Sequence, residues 1–79
     1  MQNTEERVKA VIADMFGLDV ESLTGESRLA QDLNIKSANR VNLSAQLEEI
    51  FQIEINIFEV LKLETLQEVF DLVESKLSA

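Results

Sequence analysis

The sequence predicts an all-α domain: a small four-helix bundle of three main helices and one short helix, with a long loop between the first two helices. Two observations predict it. Apolar residues make up 46% of the 79, and they recur at helical steps with almost no alternation of the β type. Proline is absent and only Gly17 and Gly25 punctuate the chain, which favours helices over a sheet. A chain of this length has room for one modest core, so residues 1–79 read as a single domain.

The first helix opens at Asn3, an N-cap type, and Glu6 three positions later completes a capping-box pattern. Val8, Val11, Ile12, Met15 and Phe16 then form one apolar stripe. Gly17 follows as a left-handed stop, with Leu18 placed to pack back on the helix. Residues 18–36 form the long connection. Its apolar residues, Leu18, Val20, Leu23, Leu29, Leu33 and Ile35, are regular enough to pin it to the core, and a loop of this length in a compact domain calls for such a reason. Thr24-Gly25 reads as its main turn, and Asp19 to Ser22 as a short helical turn.

A second helix begins at or just after Ser37, with Val41, Leu43, Leu47, Ile50 and Phe51 as its apolar face. Ile53, Ile55 and Ile57 alternate with polar residues, but a lone strand would have nothing to pair with, so this stretch reads as an extended connector. It leads into the short helix near Phe58 to Lys62. Thr65 with Glu68 makes a second capping box, opening a last helix whose stripe is Leu66, Val69, Phe70, Val73 and Leu77.

Composition narrows the function. With no cysteine and no histidine, the chain lacks thiolate ligands, the usual general base and the common nucleophile pairs, so neither an enzyme nor a metal site is expected. Acid-only hydrolysis would need two carboxylates converging in a cleft, and no spacing singles out such a pair. The net charge of −8 opposes nucleic acid and anionic membrane surfaces and favours basic partners. The residues after Met1 are polar and acidic, and no apolar run could span a bilayer, so a cytoplasmic protein without membrane insertion is expected. The same charge disfavours self-association, and a monomer is expected.

Gln31 to Leu43, QDLNIKSANRVNL, centres on Ser37. A serine at a helix start is an ordinary N-cap, its hydroxyl accepting from a free backbone N–H. It is equally an exposed primary alcohol beside the positive end of a helix dipole, where a phosphate is favoured. Local residues leave both readings open.

Nearly the whole chain resembles an acyl carrier protein of the stand-alone bacterial fatty-acid type. The resemblance rests on TEERVKAVIADMFGLD, RLAQDL, LEEIFQIEI and TLQEVFDLV, in that order and at the family's spacing. The family's attachment motif is Asp-Ser-Leu, preceded by Asp-Leu-Gly and one variable residue; here the frame reads Asp32-Leu33-Asn34-Ile35-Lys36-Ser37-Ala38. The resemblance implies an acyl-carrier-like fold and a covalent 4′-phosphopantetheine on Ser37, added by a phosphopantetheinyl transferase. The arm would present acyl intermediates as thioesters to acyl-transfer and chain-elongation enzymes with basic docking patches, in fatty-acid or a specialised lipid or secondary-metabolite pathway. By the same resemblance, Asp32, Lys36, Ala38, Arg40, Glu48 and Glu49 would face partners, and Leu47, Ile55, Val60, Leu63 and Val69 would line an acyl pocket. As residues alone, Glu48 and Glu49 equally read as a solvated helix surface, and the five apolar residues as ordinary core.

This chain departs from the family pattern at the motif. Lys36 replaces an acid, Ala38 replaces a leucine, and Asn39 and Asn42 stand where acids are usual, with Arg40 between. Like charges are penalised at an interface, so a carrier with a dedicated partner set is expected. The competing expectation is a helical interaction module that keeps the fold without the attachment, Ser37 then serving only as a cap.

Overall fold

The computed structural model describes residues 3–78. Four helices follow one another: α1 (Thr4–Phe16), α2 (Ser37–Phe51), α3 (Ile57–Leu61) and α4 (Leu66–Ser78), with one 3-10 turn at Val20–Ser22 in the loop. The only pairing of β type among the described residues is an isolated antiparallel bridge, Arg28 with Thr65. The all-helical architecture expected from the periodicity is therefore the one observed.

α1 starts where Asn3 leaves extended backbone, and the Glu6 N–H donates to Asn3 Oδ1 at 2.8 Å. It stops at Gly17, whose φ of 66° is left-handed and whose N–H reaches Ala13 O. No Cβ clash would penalise a side chain there, since nothing lies within 4 Å, so conformational freedom alone explains the glycine. Val8 and Ile12 are fully buried, while Val11, Met15, Phe16 and Leu18 are partly buried and pack against the core.

The long loop is packed down, as expected. Leu23, Leu29 and Ile35 are buried; Val20, expected to anchor it, is 43% exposed because it lies on the 3-10 turn. The loop also completes α4. Leu66 N–H donates to Ser27 O and Gln67 N–H to Gly25 O, both at 2.9 Å, and Leu29 N–H donates to Glu64 O at 2.9 Å. Glu68 Oε1 accepts from the N–H groups of Glu64 and Thr65, and the Glu68 N–H donates to Thr65 Oγ1, which is the expected capping box. A Cβ at Gly25 would sit 2.6 Å from Gln67 Oε1, the movable end of an exposed side chain, so a substitution there would displace that amide.

The α2 face differs from the one expected. Leu43, Ser44, Leu47 and Phe51 are buried, but Val41 is 51% and Ile50 39% exposed. Val41 precedes Leu43 by two residues, about 200° around the helix, and so points away from the core; Ile50 lies at the edge of the buried face. α3 begins one residue earlier than expected because Asn56 and Glu59 form a full capping box, leaving Phe58 67% exposed on its outer side. In α4, Leu66, Val69, Phe70 and Val73 are buried, whereas Leu77, at the last turn, is 44% exposed.

One core gathers all four helices and the loop. Leu43→Ala should lower the unfolding free energy by about 2–5 kcal/mol, through lost transfer energy and a cavity. Val41→Ala, on the opposite side of the helix, should change it by less than about 0.5 kcal/mol. Urea melts of the two variants measure both.

Candidate functional site

The segment entering α2 is held by its own backbone. The Asp32 carboxylate accepts the Arg28 N–H at 2.8 Å and pairs with the Arg28 guanidinium at 3.3 Å. Those bonds, the backbone N–H first and the guanidinium second, hold the Asp32 carboxyl below its ordinary range. Asp32 and Leu33 donate to Arg28 O, and Ile35 donates to Leu29 O at 2.8 Å. Asn34 makes the reversal with a φ of 58°. This is the position of the glycine in the family frame, and asparagine tolerates left-handed backbone better than most residues that carry a Cβ.

Ile35 is fully buried, and the next residues emerge into solvent: Lys36, Ser37, Ala38 and Asn39 are all exposed. Lys36, not Ser37, occupies the N-cap position, with extended backbone and no side-chain cap bond. Its carbonyl accepts the Arg40 N–H at 2.9 Å. Ser37 already has helical backbone, so its hydroxyl is not the cap. No side-chain hydrogen bond among the described residues uses it.

Arg40 sits one turn further on and is only partly exposed. Its Nε donates to Ile35 O at 3.3 Å, and its Nη1 donates to Leu61 O at 3.1 Å and Leu63 O at 2.7 Å. One guanidinium thus ties the end of the loop, the start of α2 and the α3–α4 linker together. The residue expected to face partners is occupied inside the molecule. Glu48 is likewise engaged, its Oε2 accepting the Ile55 N–H at 3.0 Å, while Glu49 is exposed. These two acids lie eleven and twelve residues beyond Ser37, about 16 Å or more along the helix axis, so the expected partner-facing residues fall at the two ends of α2 rather than in one cluster.

Leu47, Ile55, Val60 and Val69 are buried, and Leu63 is partly buried against the same core. An open groove of about 730 Å³ lies elsewhere, between α1 and the 3-10 turn, lined by residues such as Lys9, Ala13, Asp14 and Glu21. None of its lining residues is among the partner-facing, attachment or acyl-pocket residues expected from the sequence.

Two features were missed by sequence reasoning. Asn56 and Glu59 carried the capping-box spacing and could have been found. The Arg40 tie could not, because its acceptors are backbone carbonyls 21 and 23 residues away.

A family model described as "Phosphopantetheine attachment site" matches residues 6–73. The chain belongs to the acyl carrier protein family. It is 42% identical over 74 residues to an acyl carrier protein of Thermosynechococcus vestitus, covering 94% of this chain and 91% of the relative. It is 40% identical over 74 residues to an acyl carrier protein of Buchnera aphidicola subsp. Baizongia pistaciae, covering 94% and 95%. The chain is accordingly a non-catalytic carrier with covalently attached 4′-phosphopantetheine, which a phosphopantetheinyl transferase and acyl-handling enzymes engage. No helix among the described residues is long and apolar enough to cross a membrane.

The structure offers a side chain that fits such a group. Attachment through a phosphodiester needs a hydroxyl open to solvent and free of internal bonds. Four serines lie in the matched span. Ser22 donates to Asp19 O at 2.7 Å, Ser27 Oγ accepts the Thr24 N–H at 3.0 Å, and Ser44 is buried. Ser37 is exposed and unengaged.

Arg40→Ala should move the carbonyl ¹³C resonances of Ile35, Leu61 and Leu63 and lower stability on the order of 2 kcal/mol, the scale of a charged hydrogen-bonding group lost from its acceptors. Arg40→Lys should recover only part of this, because an ammonium lacks the planar fork that spans three carbonyls.

Proposed function

We propose that Ser37 is the residue that carries the 4′-phosphopantetheine, and that the protein is a single-domain carrier serving a dedicated set of partners. The observation that carries the reading is the contrast among serines: within the matched span, Ser37 alone combines exposure with an unengaged hydroxyl, at the first residue of α2. Against the reading of Ser37 as a mere cap stands Lys36, which occupies the N-cap position.

When attached, the group supplies a thiol on a flexible arm that holds acyl units as thioesters. The chain's own residues have three tasks. The Asp32–Arg28 pair and the Asn34 reversal set the path of the loop; burial of Ile35 turns the following residues outward; and Arg40 holds that exit against α3. Leu47, Ile55, Val60, Leu63 and Val69 are proposed to line the acyl pocket, a reading supported by their membership of one continuous core across α2, α3 and α4. Partners with basic patches are proposed to read the Glu48 and Glu49 end of α2. Asp32, Lys36, Ala38 and Arg40 are proposed to govern partner choice at the other end, Asp32 and Arg40 by fixing its shape. The protein is proposed to act as a cytoplasmic monomer, with its net charge of −8 opposing self-association. The pathway proposed is fatty-acid synthesis or a specialised branch of lipid or secondary metabolism.

Incubation with coenzyme A, magnesium and a broad-specificity phosphopantetheinyl transferase should raise the intact mass by one phosphopantetheine, and Ser37→Ala should show no gain. The variant should stay within about 0.5 kcal/mol of the parent in urea, as a surface change with no cap to lose. A gain on the variant would move the attachment elsewhere. Lys36→Asp combined with Ala38→Leu should speed modification by a transferase of the fatty-acid type; an unchanged rate would show that these two departures do not set partner choice.

A further inference from the structure

Charge on this anionic chain is segregated around α2. No Asp or Glu occurs from residue 33 to residue 47, and three of the seven basic residues, Lys36, Arg40 and Lys62, gather where that helix starts. Arg40 is the geometric link. Its guanidinium holds the carbonyls of Ile35, Leu61 and Leu63, so Lys36 and Lys62 each lie next in the chain to a carbonyl that it binds. Both lysines are exposed, and neither takes part in an ion pair among the described residues.

The acids that border this corner are largely neutralised. Asp32 is paired with Arg28, and Glu59 with Lys76 at 3.1 Å, which leaves Glu64 as the exposed acid of the adjoining linker. Large apolar side chains on the same two helices stay in solvent: Val41 one turn after Ser37, and Phe58 and Leu61 on α3 just before Lys62. Exposed aromatic and aliphatic groups beside unpaired charge are what a protein–protein contact buries at its centre and reads at its rim.

We propose that the corner formed by Lys36, Arg40 and Lys62, with Val41, Phe58 and Leu61, docks partner proteins whose matching surface is acidic and apolar. This deepens the reading of Ser37 as the attachment residue and rests on it. The partner's charge follows from complementarity: a basic surface brought against Lys36 and Lys62 would be repelled, whereas an acidic one would be steered towards Ser37. Glu49, at the opposite end of α2, carries the opposite charge, so the helix admits one docking orientation. An anionic membrane is disfavoured as the occupant because the whole molecule carries −8.

The test is a charge-swap cycle read by intact mass and by kcat/KM for modification with coenzyme A. One arm uses a broad-specificity phosphopantetheinyl transferase with a basic carrier-facing patch, the other its variant with that patch changed to glutamate. The substrates are the parent and Lys36→Glu/Lys62→Glu, with Lys36→Gln/Lys62→Gln between them; circular dichroism confirms that each is folded. The parent should prefer the glutamate-patch enzyme and the reversed variant the basic one. The swap should amount to about tenfold or more at low salt, shrinking as added salt shortens the screening length. The glutamine variant should fall between. Equal rates for parent and reversed variant with both enzymes, or a parent that prefers the basic patch, would overturn the proposal. Sedimentation of the parent, but not the reversed variant, with phosphatidylglycerol vesicles would replace it with a lipid surface. Absence of any mass gain on the parent with either enzyme would instead overturn the attachment reading itself.

Discussion

The fold depends on how the long loop and the start of α4 satisfy each other. A helix begins with N–H groups that have no intrahelical acceptor, and a loop that dives into a core brings carbonyls that have lost water. Here the two deficits cancel: Ser27 and Gly25 carbonyls accept from Leu66 and Gln67, while Leu29 donates back to Glu64. That exchange lets Leu23, Leu29 and Ile35 be buried without stranding their backbone. Nineteen residues that lack a main helix thereby become one wall of the core.

α3 poses the opposite problem. Five residues are far too few to hold a helix by propagation alone. The structure supports it at both ends from α2, with Glu48 taking the Ile55 N–H and Arg40 taking the Leu61 and Leu63 carbonyls. The Asn56–Glu59 capping box closes its first turn, and Lys76 of α4 binds the same Glu59. The carboxyl of Glu59 is held below its ordinary range, chiefly by that lysine and then by the Asn56 N–H. Glu59 therefore serves as cap and cross-brace together. Arg40 and Glu48, two charged residues of α2, thus help to hold the shortest helix in place.

This arrangement has a functional consequence. Because Arg40 turns inward and acids are missing from the first three turns of α2, the surface beside Ser37 is left with lysine charge and apolar groups rather than carboxylates. The backbone leading to the serine is bonded and buried on its way: the Asp32 carboxylate pairs with Arg28, Asn34 is left-handed, and Ile35, two residues upstream, is fully buried.

Periodicity, punctuation and the two end patterns were enough to place α1 and α4, because their stripes, Gly17 and the Thr65–Glu68 box are local signals that tertiary contacts reinforced. The family frame pointed to Ser37, since it is read as spacing along the chain. What the linear pattern left open was settled by packing. It showed Ser37 as the first residue of the helix with Lys36 at the cap, Val41 turned from the core, and Arg40 and Glu48 bonded to backbone. The sequence by itself determined the helical class, the single core and the candidate serine, for these follow from hydrophobic period and residue chemistry within a turn or two. Only the tertiary structure decided which charges stay free to act, because a side chain's partner is set by what folding brings beside it, and for Arg40 those carbonyls lie more than twenty residues away.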